Sequence, residues 1–369
     1  MRYVYDFAPR PVSDDLVADI DRAAARVEAK LLQLDPGDLP LSGLYRRLLG
    51  SAQASSVGLL QRFGFILMWA LRGVDKPLED VTVIEVGGGL GTMTLLAKEL
   101  GIGTVVYNDI YDIACHDAAV VAERLGLSAD YYLRGDVDEL IDQTGRLGLE
   151  VDSVGSYDVI EHVYDIDAYL TGLAGLPGPS LTIAMASGAN MYNRRYRNWI
   201  IPFQQVCELE GREAEADHYE RDTVRAYVDV RREMIAGVAP NLADGEVERL
   251  VTHTRGLRQD DIEQAARDFA ERGELPPLID HPTNTCDPFT GNWQEHLMNP
   301  DDIVGILRGQ GYDDAGWVSG YFNGRSPNPG KRTAAKALNL GIRMSNRVGI
   351  RLAGYYMIHG RMTTKPDRA

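Results

Sequence analysis

Residues 81–86 read VTVIEV and run directly into Gly87-Gly88-Gly89-Leu90-Gly91-Thr92 and then MTLLAKEL. A β-branched run that breaks into glycines and resumes with helical spacing is strand, tight turn, helix, the opening of a nucleotide-binding α/β unit. Glycines at 87, 89 and 91 let the backbone turn sharply and approach a ligand, while the helix behind them offers free N–H groups. A dinucleotide fingerprint would be G-x-G-x-x-G, which needs a glycine where Thr92 stands. With Glu85 placed just before the turn, the spacing is instead E-x-G-x-G-x-G.

Further units follow outward from this point. TVVYND (104–109) reads as a second strand, followed by a helix around 114–125. DYYLRGD (130–136), VDSVGS (151–156) and SLTIAMAS (180–187) supply the third, fourth and fifth strands. From 188 to about 297 the alternation stops in favour of polar, helical sequence. It returns with the helix NPDDIVGILRGQGY, a sixth strand in DDAGWVSGYF (313–322) and a seventh in GYYMIHGRM (354–362). Towards the N-terminus, Ser13 caps a helix with Leu16, Ile20, Ala23, Val27 and Leu31 on one face, and a second apolar helix covers about 59–71. The expected organisation is an N-terminal helical cover (1–77), an α/β core (78–187 with 298–369) and a mainly helical substrate-side insertion (188–297).

The glycine loop and the acids after it resemble the class I S-adenosylmethionine-dependent methyltransferases over 78–187 and 298–362. The resemblance implies α/β architecture with a seven-stranded Rossmann-like methyltransferase sheet and S-adenosylmethionine as cofactor. Glu85, Gly87, Gly89 and Gly91 would form the cofactor loop, its carboxylate suiting a ligand with an ammonium and a sulfonium. Asp109, closing the second strand, would accept the ribose hydroxyls. Asp136, closing the third, would take the adenine amino group with the Val137 backbone beside it. DSVGSYDVIEHVYD (152–165) resembles the family phrase at the fourth strand, so Tyr157 would face the cofactor while Glu161 and His162 open the next helix.

Methyl transfer from a sulfonium is an in-line displacement, so the protein chiefly positions the acceptor, and a hydroxyl acceptor also needs a base or a metal. His162 is one candidate base. His281 and His296 are others, in HPTNTCDPFTGNWQEHLMNP (281–300), whose Pro, Gly, Asn and Thr content marks an ordered loop. Tyr192, Tyr196, Arg197 and Trp293 are candidate acceptor contacts. The loop's His, Asp and Glu would suit a divalent metal, but their spacing matches no defined template, so a metal is not favoured. The expected activity is methylation of a small-molecule or sugar acceptor, with oxygen as the expected atom. N- or C-methylation, an NAD-dependent dehydrogenase and a non-catalytic methyltransferase-like partner are the alternatives.

Composition limits the partners. The 369 residues are 44% hydrophobic and 25% charged, with a net charge of −16, which argues against a nucleic-acid binder. The charge is lopsided. From Arg325 onward there are ten Lys/Arg and one acid, Asp367, so the first 324 residues carry 28 bases and 53 acids, a net −25. Read as a helix, which Gly341 and Gly349 would weaken, the basic segment 331–351 puts Arg332, Lys336, Arg343, Arg347 and Arg351 on one side, expected to be a solvated face of a packing helix or, in the sharper alternative, a contact for an anionic acceptor, a phosphate-bearing carrier or a membrane surface. FGFILMWAL (63–71) is too short for a membrane span, which takes about 20 residues. The opening lacks a signal-peptide core, and three cysteines without recurrent spacing fit a cytoplasmic protein. The helical N-terminus is compatible with a homodimer.

Overall fold

The computed structural model describes residues 1–212 and 222–365; of the basic tail, residues 366–369, Asp367 among them, lie outside the described residues. The chain divides into two compact units, one of Met1–Ile160, Asp167–Asn193 and Asn299–Ala369, the other of Glu161–Ile166 and Arg194–Met298.

The first unit opens with α1 (Asp14–Leu31), α2 (Gly43–Ala54) and α3 (Ser56–Ala70). Ser13 caps α1 through its side chain, as its position suggests, and Val17, Ile20, Ala24, Val27 and Leu31 form the buried face. The sheet follows. Its strands are β1 (Thr82–Val86), β2 (Thr104–Asp109), β3 (Tyr131–Arg134), β4 (Ser153–Tyr157), β5 (Leu181–Ser187), β6 (Gly316–Ser319) and β7 (Tyr356–Met362). Their order is β3-β2-β1-β4-β5-β7-β6, parallel throughout β1 to β5, with β7 antiparallel to both β5 and β6. Central strands read as continuous apolar runs because both faces are covered, and β1 and β5 are buried along their whole length. The covering helices between strands are α4 (Thr92–Leu100), α5 (Asp112–Leu125), α6 (Val137–Arg146) and α7 (Ile166–Ala174).

In the second unit, α8 (Arg194–Leu209) contains Pro202, and α9 (Tyr227–Val238), α10 (Asp244–His253) and α11 (Gln259–Arg272) pack around Ile235, Leu250, Ile262 and Phe269. A fully buried ion pair joins Arg231 on α9 to Glu208 on α8. The chain then returns to the first unit as α12 (Pro300–Gly309), α13 (Pro329–Met344) and α14 (Asn346–Gly349).

Three expectations need correction. The N-terminal region has three helices, α2 being additional. Glu161 and His162 do not open a helix: they lie in a 3-10 turn, Ile160–His162, and α7 begins only at Ile166. The basic segment is not one helix either. It breaks at Ser345, whose extended backbone ends α13 and whose hydroxyl caps α14. Gly349 serves that break: a Cβ there would lie 2.9 Å from the Ile342 Cα, so the two helices meet backbone to backbone.

Candidate functional site

The glycine loop lies at the carboxyl end of β1. Gly87, Gly89 and Gly91 all take left-handed backbone, at φ +60°, +50° and +73°. A Cβ at Gly87 would sit 2.3 Å from Val159 Cγ2, and one at Gly88 2.3 Å from the Tyr107 ring, so the loop is pressed against its neighbours. At Gly89 the same position is open, with nothing within 4 Å. That open side is the cradle a cofactor would occupy.

Glu85 holds the loop from behind. Its carboxylate is buried and accepts the N–H groups of Met93 (3.0 Å) and Thr94 (2.7 Å), the first turn of α4. The helix needs this because its N-cap is Gly91, which has no side chain to cap with. Burial pushes the Glu85 carboxyl up to about 7, against the pull of those two N–H groups. Asp109, at the end of β2, accepts from Gly89 N–H (3.1 Å) and Tyr111 N–H (3.1 Å), and burial raises its pKa.

Asp136 is exposed and forms a capping box on α6, accepting from Asp138 and Glu139 N–H while Glu139 bonds back to its own N–H. Val137 is the first residue of α6, and its side chain meets Gly172 on α7, where a Cβ would come within 2.9 Å. Tyr157, at the end of β4, stacks under the Arg62 guanidinium (4.4 Å to the ring centroid) and meets Phe63 and Tyr355 edge-on. Arg62 is a component that sequence reasoning missed, a lone cation inside an apolar helix. Its Nε is buried without an acceptor.

That strand order, with the reversed β7 and the glycine turn after β1, decides the architecture. The fold is a seven-stranded Rossmann-like α/β sheet, as the sequence leads one to expect. No family model and no curated protein matches the sequence. Among solved structures the chain is similar to the N-terminal domain of EvdMO1 with SAH bound, at 19% identity over 29% of this chain and 43% of that one, TM-score 0.25. It is similar to CrArsM, an arsenic(III) S-adenosylmethionine methyltransferase from Chlamydomonas reinhardtii, at 15% identity over 79% and 66%, TM-score 0.35. It is also similar to the CurJ carbon methyltransferase, at 11% identity over 95% and 68%, TM-score 0.41. The chain therefore spans under half of the first and 66% of the second.

The second unit gathers the other candidates. His162 Nδ1 donates to the Trp293 carbonyl (2.8 Å), which leaves Nε2 as the basic nitrogen, 3.9 Å from Glu295 Oε1. Glu295 accepts from Tyr196 Oη (2.5 Å), and its backbone is left-handed at φ +59°, a strained conformation for glutamate. Two main-chain bonds clamp the turn to the loop, Trp293 N–H to His162 carbonyl (3.1 Å) and His296 N–H to Glu161 carbonyl (3.0 Å). Glu161 is fully buried beneath. Among the described residues, Glu161, His162 and Glu295 present donor atoms all within 4.8 Å of one another, two carboxylates and an imidazole that fit a divalent cation.

The remaining candidates separate. His296 donates Nδ1–H to the Thr283 carbonyl (2.8 Å) and stacks on His281 at 4.2 Å; burial pushes its pKa down to about 4. His281 Nδ1 accepts from Thr283, and burial lowers its pKa too. Trp293 is buried, stacked on Tyr164 and tilted against His296, so it fills the interior of the loop. Tyr196 belongs with Glu295 and lies beside Trp199, which is 57% exposed and stacks on Phe203. Arg197 is exposed on α8. Tyr192, in the first unit, donates to Asn299 Oδ1 (2.9 Å).

Proposed function

We propose that the protein is an S-adenosylmethionine-dependent methyltransferase that methylates a hydroxyl of a small-molecule or sugar acceptor. The observation that carries the cofactor is the loop 87–91, three left-handed glycines with one open flank, held by Glu85 and faced by Asp109. Gly89 and Asp109 would hold the ribose end, and Asp136 with the Val137 amide the adenine. When bound, the cofactor supplies an electrophilic methyl group on a sulfonium.

His162 is the residue suited to accept the acceptor's proton. The Trp293 carbonyl fixes its Nδ1–H, and Glu295, itself steadied by Tyr196, stabilises the imidazolium that forms. With the cofactor supplying the methyl group, His162 Nε2 would take the proton that the acceptor hydroxyl gives up. Burial keeps His296 neutral, and His296 and His281 shape the loop rather than move protons.

A second reading has its own observation, the donor group Glu161, His162 and Glu295. A divalent cation held there would lower the pKa of a bound hydroxyl, and His162 would then serve as a ligand. Cofactor carrying a deuterated methyl group, incubated with a panel of hydroxylated metabolites and free sugars, tests the proposal. Mass transfer to an acceptor oxygen supports it. Transfer only to amines or carbon would move the activity to the alternatives, and loss of transfer in EDTA, restored by a divalent metal, would favour the metal.

A further inference from the structure

Between Arg325 and Leu352 the chain carries seven Lys/Arg and no acid. This stretch contains α13 and α14, and its inner side is firmly fixed. Ala335, Asn339 and Ile342 are buried. The Asn339 amide bridges the Phe322 N–H and carbonyl (2.8 Å each). Asn346 accepts from Ser319 N–H (2.8 Å) and donates to the Trp317 carbonyl (3.0 Å), and Asn190 donates to the carbonyls of Ile350 (2.7 Å) and Ala353 (3.0 Å).

The outer side is therefore not slack packing, yet it is apolar. Leu340, Met344, Val348 and Leu352 recur at every fourth residue and are 46%, 81%, 55% and 45% exposed. On α13, Lys336, Leu340, Arg343 and Met344 fall within an arc of about 100° at ~100° per residue. Arg325 and Lys336 are partly engaged by Asp6 (3.1 and 3.8 Å), and Arg343 donates to the Phe7 carbonyl (3.0 Å). Lys331, Arg332, Arg347 and Arg351 have no carboxylate partner among the described residues. Beside Arg343 lies an open groove of about 790 Å³ lined by Phe7, Pro9, Arg10, Val318 and Tyr321.

Scattered exposed apolar side chains need no explanation, but here Leu340 and Met344 share one face of α13 with Lys336 and Arg343, and beyond the break at Ser345 the exposed Val348 and Leu352 stand beside Arg347 and Arg351, apolar residues flanked by cations as at a membrane interface. Charge selects the kind of membrane and the orientation. An anionic surface repels residues 1–324, at −25, and attracts this one segment. We propose that α13 and α14 form a docking face for an anionic lipid bilayer, with Leu340, Met344, Val348 and Leu352 entering the headgroup region and Lys331, Arg332, Arg347 and Arg351 meeting lipid phosphates. The proposal is independent of the methyltransferase reading.

The test is co-sedimentation of the full-length chain with vesicles of phosphatidylcholine alone and of phosphatidylcholine with phosphatidylglycerol. Binding is expected only with phosphatidylglycerol and is expected to be released by high salt. Met344→Asp should weaken it about tenfold or more, and Arg347→Gln with Arg351→Gln about thirtyfold, with the melting temperature unchanged in both. Absence of binding to either vesicle would overturn the proposal. So would a Met344→Asp change that leaves vesicle binding intact but converts a dimer to a monomer in light scattering, which would give the face to a second copy of the chain.

Discussion

His162 Nε2 and Glu295 Oε1 stand 3.9 Å apart, one on the turn after β4 and the other at a left-handed residue 133 positions later in the chain. A strained glutamate backbone persists only where the surroundings over-determine it, here the Tyr196 hydroxyl bond and the two main-chain bonds between the turn and the loop. Replacing His162 with Gln, which keeps a hydrogen-bonding side chain but not the basic nitrogen, should lower kcat about a hundred- to ten-thousandfold. Steady-state kinetics beside cofactor titration checks this, and the cofactor Kd should stay within a factor of about two.

Gly87→Ala should damage the cofactor loop. Its Cβ would meet Val159 Cγ2 at 2.3 Å while the backbone holds φ +60°. The expected cost is about 1–3 kcal/mol of stability and a cofactor Kd raised at least about tenfold. Gly101, also left-handed but with nothing within 4 Å of its Cβ position, is the control: Gly101→Ala should leave the Kd unchanged.

Much of the first unit was legible because its signals are local. The run 81–86, the glycines after it and Asp109 could be read as strand, turn and strand end without tertiary information, whereas Asp136, read as closing the third strand, lies two residues past its end at Arg134 as the N-cap of α6. Ser13 could be read as a cap. Helix α2 escaped because its buried positions are only Tyr45, Leu49 and Ala52, diluted by Gly43 and Gly50. The break at Ser345 escaped because its cause lies outside the segment, in the Asn346 bonds to Ser319 and Trp317. Glu85, read as a cofactor contact, also supplies the cap that Gly91 cannot, through the N–H groups of Met93 and Thr94. For the second unit, His162 could be nominated from its motif, but its partnership with Glu295 and Tyr196 is a product of long-range folding.

Stability should fall between pH 6.5 and 4. His296 is held neutral in the fold, its pKa pushed down to about 4, whereas the unfolded residue titrates near 6.5. In that window the unfolded chain binds the extra proton, so the contribution is complete above 6.5 and is lost as pH falls, up to about 3 kcal/mol. His359, stacked on Trp69 and likewise depressed to about 4, adds in the same direction. Glu85 opposes both, since its raised pKa makes the fold more stable at the acid end of its range. Urea unfolding at pH 7 and 5 should show the loss, and His296→Phe should reduce it.

Arg231→Leu should destabilise the second unit by up to about 3–5 kcal/mol, because it removes the close partner of the buried Glu208 carboxylate and leaves it Arg255 at 3.9 Å. Replacing both partners, Arg231→Met with Glu208→Leu, should recover most of that loss. Denaturant midpoints of the two variants and the parent protein check it.

The loop 87–91, with Asp109, is expected to bind S-adenosylmethionine and its demethylated product, S-adenosylhomocysteine. Calorimetric titration of the chain with S-adenosylhomocysteine, set against NAD, tests it most directly. A single-site isotherm for S-adenosylhomocysteine that weakens at least about tenfold in Asp109→Ala, with no heat from NAD, is the expected result. Binding of NAD without S-adenosylhomocysteine would contradict the account.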